Sequence, residues 1–309
     1  MAQPILPLPY IFDLEISGRC NTACSFCPRE EMLRGEEFMS EEVFEDFLLR
    51  LKNYAPLLQN RQVLLIKERA RAAVESGERS PCRVIMCGMG ESLMHRKCTE
   101  WIRRIRTEVG VRVTVVSNGL LLKQKNIEQL ADSGVTVILV SVPGVDRESY
   151  SRIMQLDWDR IINNIEAAHK VLPGRVQITC AIPDDATFTP QDVLTFWERK
   201  GIPVAGITTC HSRGGFLKIG SITGKVPVPA GNFCGIIARH NFVSWDGRIL
   251  SCCHDLHAEN VLGHVSDDEF LTVAYNKQAF IPTGPGYRIC GQCNDQERQQ
   301  AGQIIGVPQ

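Results

Sequence analysis

The sequence predicts an α/β fold: a partial (β/α)6 barrel of parallel strands followed by a small C-terminal domain. The first observation is that strand-like and helix-like segments alternate six times in roughly the first 215 residues. The second is a shift to Gly, Pro and Lys between Gly214 and Gly231, which is typical of a linker. The third is that the tail is short, rich in cysteine and poor in helical periodicity. We therefore predict a barrel over residues 1–215 and a second domain over residues 216–309.

The first strand is predicted where Phe12, Leu14 and Ile16 alternate with Asp13 and Glu15, as in a half-buried strand. The later strands are predicted at residues 83–87, 111–116, 135–142, 175–180 and 204–208. The run 135–142 is continuously apolar, so we expect it to be buried on both faces.

Helices are predicted between these strands. The first begins after the N-cap Ser40 and reaches Leu51. The others are predicted at residues 97–108, 127–132, 147–172 and 191–200. The charge-rich, helix-prone stretch 54–82 is interpreted as an insertion in the first helical layer. Repeated strand–helix alternation gives a parallel sheet, in which ligands collect at the C-terminal ends of the strands.

In the tail, the sequence Trp245-Asp246-Gly247-Arg248 lies between two short apolar pairs. An Asp-Gly dipeptide in this position predicts a β-hairpin.

Composition narrows the class of protein. The 309 residues are 44% hydrophobic and 22% charged, with a net charge of −1, which does not favour a nucleic-acid surface or a basic membrane patch. The sequence has neither a long apolar run nor a secretory signal, so we expect a cytoplasmic protein that binds neither nucleic acid nor membrane. Thirteen cysteines are many for such a chain, and clustered cysteines then indicate metal binding or redox chemistry.

The strongest motif is the loop after the first predicted strand, where Cys20, Cys24 and Cys27 lie within eight residues. Three thiolates can hold three irons of a [4Fe–4S] cube and leave the fourth iron open for another ligand. A zinc site would need a fourth nearby ligand, and neither His nor Cys is available in the surrounding sequence.

The C-x-x-x-C-x-aromatic-C pattern resembles that of the radical S-adenosylmethionine (SAM) enzymes. This resemblance implies that SAM binds the open iron and is cleaved to a 5′-deoxyadenosyl radical. It also implies that Phe26 packs beside the adenine.

Three further segments resemble cofactor-binding positions of that family. Gly90 and Glu91 follow the second strand, as in the family's Gly-Gly-Glu-Pro segment, although Met89 and Ser92 depart from that pattern. Asn118 follows the third strand and Ser141 ends the fourth. The resemblance places these residues around the ammonium, methionine and ribose groups of SAM.

The second cysteine set lies in the tail and consists of Cys234, Cys252, Cys290 and Cys293. Four cysteines can close the shell of a second [4Fe–4S] cluster, and a structural zinc site is the alternative. The spacing resembles the twitch domain, the shortened form of the SPASM domain found on many radical SAM enzymes. Cys253 directly follows Cys252 and is a possible replacement for it as ligand.

The resemblance extends to the aminocyclitol dehydrogenases and aminoglycoside epimerases of this superfamily, through the residues before Cys20 and the segment 212–215. It implies a polyhydroxylated small-molecule substrate and a low-potential electron donor such as flavodoxin or ferredoxin. By the same analogy Arg213, and less strongly His211, would bind the substrate. A surface salt bridge for Arg213 and a structural role for His211 are the alternatives.

Two reactions fit this architecture. Epimerisation needs a hydrogen donor, for which Cys253 is the first choice and Cys210 the second. Dehydrogenation would instead use the auxiliary cluster as electron acceptor. We expect epimerisation. Maturation of a ribosomally made peptide is a third possibility, which the lack of a separate leader-binding domain before the first strand disfavours. A non-catalytic iron–sulfur protein is a fourth, against which the open-iron spacing argues.

Overall fold

The structure is a computed structural model that describes residues 8–59, 82–217, 234–278 and 286–295. Most of the predicted insertion (54–82) and of the predicted linker therefore lies outside the described residues. The division between residues 215 and 216 stays a prediction.

The described strands form one sheet with the order β6-β5-β4-β3-β2-β1-β7-β8-β9. Their bounds are Ile11–Leu14 (β1), Arg83–Met86 (β2), Arg112–Ser117 (β3), Val137–Ser141 (β4), Val176–Ile182 (β5), Val204–Thr209 (β6), His240–Val243 (β7), Arg248–Leu250 (β8) and Val261–His264 (β9).

Helices connect these strands and cover the sheet. Their bounds are Glu41–Gln59 (α1), Cys98–Arg104 (α2), Gln124–Ser133 (α3), Arg147–Met154 (α4), Trp158–Val171 (α5), Pro190–Arg199 (α6), Gly235–Arg239 (α7), Phe270–Gln278 (α8) and Arg288–Gly291 (α9).

Strands β1 to β6 are all parallel, as the strand–helix alternation predicts. The α/β prediction and its six parallel strands are therefore confirmed. The C-terminal strands extend the same sheet: β7 pairs with β1 in parallel, and β8 and β9 follow in antiparallel order. The predicted hairpin is β7–β8, in which Val243 pairs with Ile249 and Gly247 has a positive φ of 86°.

The main core lies between the sheet and its helices. Phe12 of β1 packs against Phe47 and Tyr54 of α1 and against Phe270 of α8, with ring centroids 4.6 to 6.2 Å apart. One aromatic side chain thus joins the barrel to the C-terminal region, and this contact fixes the two regions against each other.

Burial corrects two strand predictions. β1 is not half-buried, because Asp13 is 5% and Glu15 only 1% exposed; β1 is a central strand with β2 on one side and β7 on the other. β4 is not buried on both faces. Ile138 and Val140 are fully buried, whereas Val137, Leu139 and Ser141 are only half-buried.

Three helix predictions are also corrected. The segment predicted as one helix over 147–172 is two helices, because Gln155 has a left-handed φ of 56° and Asp157 caps a new helix. The segment 97–108 is α2 followed by a π-helical turn at Ile105–Val109. The tail contains the nine-residue helix α8, which sequence periodicity missed because its buried face includes Lys277 and its exposed face includes Tyr275. None of the described helices is both long and apolar enough to cross a bilayer.

Candidate active site

The three clustered cysteines lie in the loop that follows β1, at the C-terminal end of the strand. All three are partly exposed, and the backbone N–H of Cys27 donates to the Cys24 carbonyl at 3.0 Å, which tightens the loop. Burial raises the pKa of the Cys24 thiol to about 11. Metal binding would have to displace that proton, as it does for any thiolate ligand.

The C-terminal end of α4 holds this cysteine loop. The Ser25 N–H donates to the Ile153 carbonyl at 2.9 Å, and the Thr22 hydroxyl donates to the Met154 carbonyl at 2.8 Å. These carbonyls have no partner within their own helix, because α4 ends here. The break between α4 and α5 therefore provides the acceptors that position the loop. A cleft of about 300 Å3 beside it is lined by Cys24, Cys27 and Gln155, among others.

The glycine loop after β2 packs directly on the cysteine loop. A Cβ atom on Gly90 would lie 2.2 Å from the Ser17 carbonyl oxygen and 2.4 Å from that of Arg19, so only glycine fits here. The Glu91 N–H donates to the same Arg19 carbonyl at 2.8 Å. The backbone of this loop is thus brought beside the three cysteines.

The side-chain carboxylate of Glu91 forms hydrogen bonds within the protein. One carboxylate oxygen accepts from the Asn118 N–H at 2.8 Å and the other from the Leu93 N–H at 3.1 Å. Burial raises the pKa of Glu91, and these two hydrogen bonds act against that shift. Its carboxylate therefore joins the loops after β2 and β3, and a cofactor-binding role for it stays a prediction.

Of the remaining predicted cofactor residues, Asn118 contacts the cysteine loop and Phe26 belongs to it. The Asn118 side-chain amide donates to the Asn21 side-chain oxygen at 2.8 Å and lies 4.0 Å from the Cys20 sulfur. Phe26 is partly buried against the core, and Ser141 is half-buried at the end of β4. The structure brings Asn118 to the cysteine loop, and Ser141 ends a strand that pairs with β3.

The second cysteine set is assembled from three separate segments. Cys234 precedes α7, Cys252 follows β8, and Cys290 and Cys293 lie in and just after α9. The pKa of Cys252 is raised mainly by burial and then by the charges of the other three thiols, so the four sulfurs converge. A small apolar cluster surrounds Cys252 and contains Ile236, Ile237 and Ile289.

Distances test whether either set suits a single metal ion. Zinc at 2.3 Å from each sulfur would bring its thiolates to about 3.8 Å from one another. Within the described residues, no three cysteine sulfurs lie within 4.8 Å of one another. Neither donor set therefore has the close spacing that a single zinc ion requires, which favours a [4Fe–4S] cluster over the zinc alternatives.

Within the described chain, one group does place three possible metal-ligand atoms within 4.8 Å of one another. It consists of His211, His254 and Asp295. His254 Nε2 lies 2.8 Å and His211 Nε2 3.6 Å from the same Asp295 oxygen. His211 Nδ1 accepts from the Arg213 N–H at 3.3 Å, so its Nε2 carries the proton in the neutral ring. Burial lowers the pKa of His211 to about 3. His254 thus hydrogen-bonds Asp295 and His211 lies beside the same carboxylate, and this His–Asp–His clasp fastens the segment after Cys293 to the loop after β6.

The clasp positions Arg213, whose backbone is in the left-handed region with a φ of 50°. Its guanidinium has no hydrogen-bond or ion-pair partner in the described parts of the chain. Burial raises the pKa of the Cys87, Cys210 and Cys253 thiols, and the positive charge of Arg213 acts against that rise in all three. Backbone strain at an unpaired, half-buried cation is typical of a binding site.

Cys253 belongs to this interior group. Burial raises the pKa of its thiol well above the usual value, and Cys252 and Asp13 add to the shift. Its sulfur is thus protonated at neutral pH. Cys210 is 7% exposed, and burial raises the pKa of its thiol to about 11. Cys180 does not end its strand as expected from the sequence; it lies inside β5, on the face opposite Thr179 and Ser141.

Sequence reasoning missed two buried polar pairs on β1. Asp13 accepts from His240 Nδ1 at 2.7 Å and from the Cys87 thiol at 3.8 Å. Glu15 forms a buried ion pair with Arg34, whose Nε also donates to the Leu256 carbonyl at 3.2 Å. The sequence did show two acidic residues in an otherwise apolar strand. Predicting that they are buried would have required knowing that β7 covers the edge of β1.

A larger cavity, of about 510 Å3, lies elsewhere. It is lined by residues such as Phe38, His95 and Trp101, and no predicted site residue is among those lining it.

Comparisons with known proteins agree with this arrangement. The model of the radical SAM superfamily matches residues 14–188, which is more than half of the chain. The model of the SPASM iron–sulfur cluster-binding domain matches residues 234–294, a range that contains all four cysteines of the second set.

Among solved structures, BtrN in complex with AdoMet and 2-DOIA has a TM-score of 0.59 at 14% identity, over 94% of this chain and 95% of that one. Streptococcus suis SuiB bound to the precursor peptide SuiA has a TM-score of 0.64 at 15% identity, over 95% and 71%. Native anSMEcpe with bound AdoMet has a TM-score of 0.65 at 16% identity, over 94% and 88%. At these identities the likeness establishes the fold.

Curated relatives match over part of their length. A probable GTP 3′,8-cyclase of Methanothermobacter marburgensis is 27% identical over 50% of this chain and 42% of that protein. The GTP 3′,8-cyclase of Staphylococcus aureus is 30% identical over 45% of this chain and 36% of that protein. The matched part is thus less than half the length of these relatives.

Proposed function

Because the chain belongs to the radical SAM superfamily, and so uses SAM with [4Fe–4S] clusters, we propose that it epimerises one carbon of a polyhydroxylated small molecule. An aminoglycoside or aminocyclitol is the substrate class we propose. Two observations support the proposal: the Arg213 guanidinium has no partner among the described residues, and the Cys253 thiol, whose pKa burial raises, is one of the groups on which the Arg213 charge acts. Reductive cleavage of SAM supplies a radical that abstracts hydrogen from the substrate.

In this proposal the chain's two cysteine sets have different tasks. Cys20, Cys24 and Cys27 would hold the cluster that supplies the electron for SAM cleavage. Phe26, Gly90, Asn118 and Ser141 then surround the cofactor, and Glu91 fixes the loops that carry it. Cys234, Cys252, Cys290 and Cys293 hold a closed auxiliary cluster. The electron comes from a low-potential protein donor such as flavodoxin or ferredoxin.

Cys253 returns the hydrogen atom. A thiol can do this only while it is protonated, and burial keeps the Cys253 thiol protonated at neutral pH. The carbon then gains hydrogen on the face opposite the one that lost it. The thiyl radical left on sulfur needs one electron and one proton to restore the thiol, and the protein electron donor supplies the electron. Cys210, also near Arg213, is the second candidate.

Arg213 holds the substrate by its hydroxyl or carboxylate groups. A guanidinium with five donors and no partner among the described residues can make such bonds. His211 is engaged with Arg213 and Asp295, so we propose that it positions Arg213 and contacts the substrate only secondarily.

A second candidate function is oxidation of a secondary alcohol. The observation that favours it is the buried Asp13 carboxylate, which is close enough to Cys253 for its charge to raise the pKa of that thiol. Such a carboxylate, held by His240, is suited to accept the hydroxyl proton while the auxiliary cluster takes the electron.

One incubation separates these functions. The reconstituted, reduced enzyme is incubated with SAM and candidate aminocyclitols in deuterated water. Epimerisation gives an inverted carbon that carries deuterium at unchanged oxidation level. Dehydrogenation gives a ketone two hydrogens lighter. Formation of neither product, with SAM still cleaved, would contradict the proposed substrate class.

A further inference from the structure

The loop that carries Arg213, residues 211–215, is tied to the last two cysteines of the second set. The Ser212 N–H donates to the Asn294 side-chain oxygen at 2.6 Å, and the Ser212 hydroxyl donates to the Gln292 carbonyl at 2.6 Å. Gln292 lies between those two cysteines, and Asn294 directly follows them. Ser212 is only 7% exposed, so water cannot readily replace either hydrogen bond.

A glycine brings the same two segments into close contact. Gly215 has a positive φ of 94°, and a Cβ atom on it would lie 2.8 Å from the Gln292 Cβ atom. Any larger residue would therefore push the loop away from the cysteine segment.

The clasp ties the loop to a third cysteine of the second set. Asp295 follows Cys293 by two residues, and its hydrogen-bond partner His254 follows Cys252 by two residues. His211 of the loop lies beside the same carboxylate, with its Nε2 atom 3.6 Å away. Residues next to three of the four cysteines therefore hold this loop.

The segment that carries Cys290 and Cys293 has little structure of its own. α9 is only four residues long, which is too short for a helix to be stable alone. The Cys293 N–H donates to the Cys290 carbonyl at 3.4 Å, which is long for a hydrogen bond. Ile289 packs one side of the segment into the apolar cluster around Cys252. Two thiolate ligands bound to iron would fix the other side.

We propose that the auxiliary cluster positions Arg213 for the substrate, through the residues that follow its ligands Cys290 and Cys293. Arg213 has a left-handed φ of 50°, and such a conformation persists only where the surrounding structure imposes it. The cluster fixes the cysteine segment, and Asn294 of that segment fixes Ser212, which directly precedes Arg213. Asn294 is then a positioning residue. This inference rests on the proposed function, because it takes Arg213 to bind the substrate.

The test is amide hydrogen exchange of the anaerobic, reconstituted enzyme, followed by mass spectrometry of peptides that cover residues 211–217. Asn294→Ala removes the acceptor of the Ser212 N–H and keeps every proposed iron ligand. Exchange in this loop should become about tenfold faster, with unchanged iron content. Cys290→Ala, which should lose the auxiliary cluster, should accelerate exchange in the loop at least as much. Asn276→Ala is the matched control; Asn276 lies exposed on α8, and its replacement should leave exchange in the loop unchanged.

Two exchange results would overturn the inference. One is unchanged exchange of residues 211–217 in Cys290→Ala after its auxiliary cluster is lost. The other is faster exchange that extends over β7 and β8, because the cluster would then support the whole C-terminal region and not this loop in particular.

A kinetic measurement separates the inference from the proposed function. For an aminocyclitol that the wild type epimerises, Asn294→Ala should raise KM about tenfold and change kcat by less than about twofold, because only substrate binding is affected. An unchanged KM despite faster exchange would show that the position of the loop does not matter to the substrate, which also overturns the inference. If the wild type epimerises no aminocyclitol, the proposed function fails, and the exchange data still decide whether the cluster positions the loop.

Discussion

The two cysteine sets differ in how the chain builds them. The first comes from a single loop of eight residues, partly exposed, and is fastened by carbonyls at the end of one helix. The second is gathered from three segments that span residues 234–293, around an apolar cluster of its own. A local set depends on one loop, whereas a distributed set depends on everything that holds its segments together. We therefore expect mutations to separate the two sets.

The largest effect is expected from ligand replacement. Cys24→Ala should abolish SAM cleavage and remove about four of eight iron atoms per chain. Cys290→Ala should remove a similar amount of iron and leave SAM cleavage measurable, because the open iron belongs to the first set. The measurements are 5′-deoxyadenosine formation and iron content. Loss of SAM cleavage in both variants would mean that the sets are not independent.

Cys252 of the second set should differ as strongly from its neighbour Cys253, which lies outside that set. Cys252→Ala should lose the auxiliary cluster, since its sulfur converges with three others. Cys253→Ala should keep both clusters and still cleave SAM, but should form no epimerised product. Iron content and product analysis check both variants. The reverse pattern, with cluster loss only in Cys253→Ala, would exchange the roles of the two residues.

The contact between the two regions is tested by Arg34, which pairs with Glu15 of the barrel and donates to Leu256 of the C-terminal region. Arg34→Met should lower the free energy of unfolding by about 3–5 kcal/mol, because it leaves a buried carboxylate unpaired. Arg19→Met is the matched control. Its ion pair with Glu37 is about half-exposed, and its loss should cost less than about 1 kcal/mol.

Denaturant unfolding under anaerobic conditions measures both variants. Equal destabilisation by the two substitutions would show that the Arg34–Glu15 pair does not connect the regions.

The smallest expected effects concern backbone strain, which occurs once near each set. Gln155 in the α4–α5 break and Ala258 after the Cys252 segment both have a φ of 56°. Gln155→Gly and Ala258→Gly should each stabilise the protein by up to about 1 kcal/mol, because glycine adopts this conformation freely. Thermal unfolding checks this. A clear loss of stability in Gln155→Gly would mean that its side chain, beside Cys24 and Cys27, supports the loop.

The amino-acid sequence by itself determined the strand–helix order and the first cysteine set. Both are local: strand and helix periods are read within a few residues, and three thiols in one loop are close whatever surrounds them. It also predicted which four cysteines of the tail belong together, although only through resemblance.

Which polar side chains are buried was decided only by the tertiary structure. Asp13 and Glu15 look solvent-facing until β7 is seen to pair with β1 and cover its edge. The His–Asp–His clasp joins residues 211, 254 and 295, which are far apart along the chain. Such features depend on which distant segments of the chain come into contact. A parallel sheet brings its strand ends to one edge, so residues far apart in the sequence can meet there.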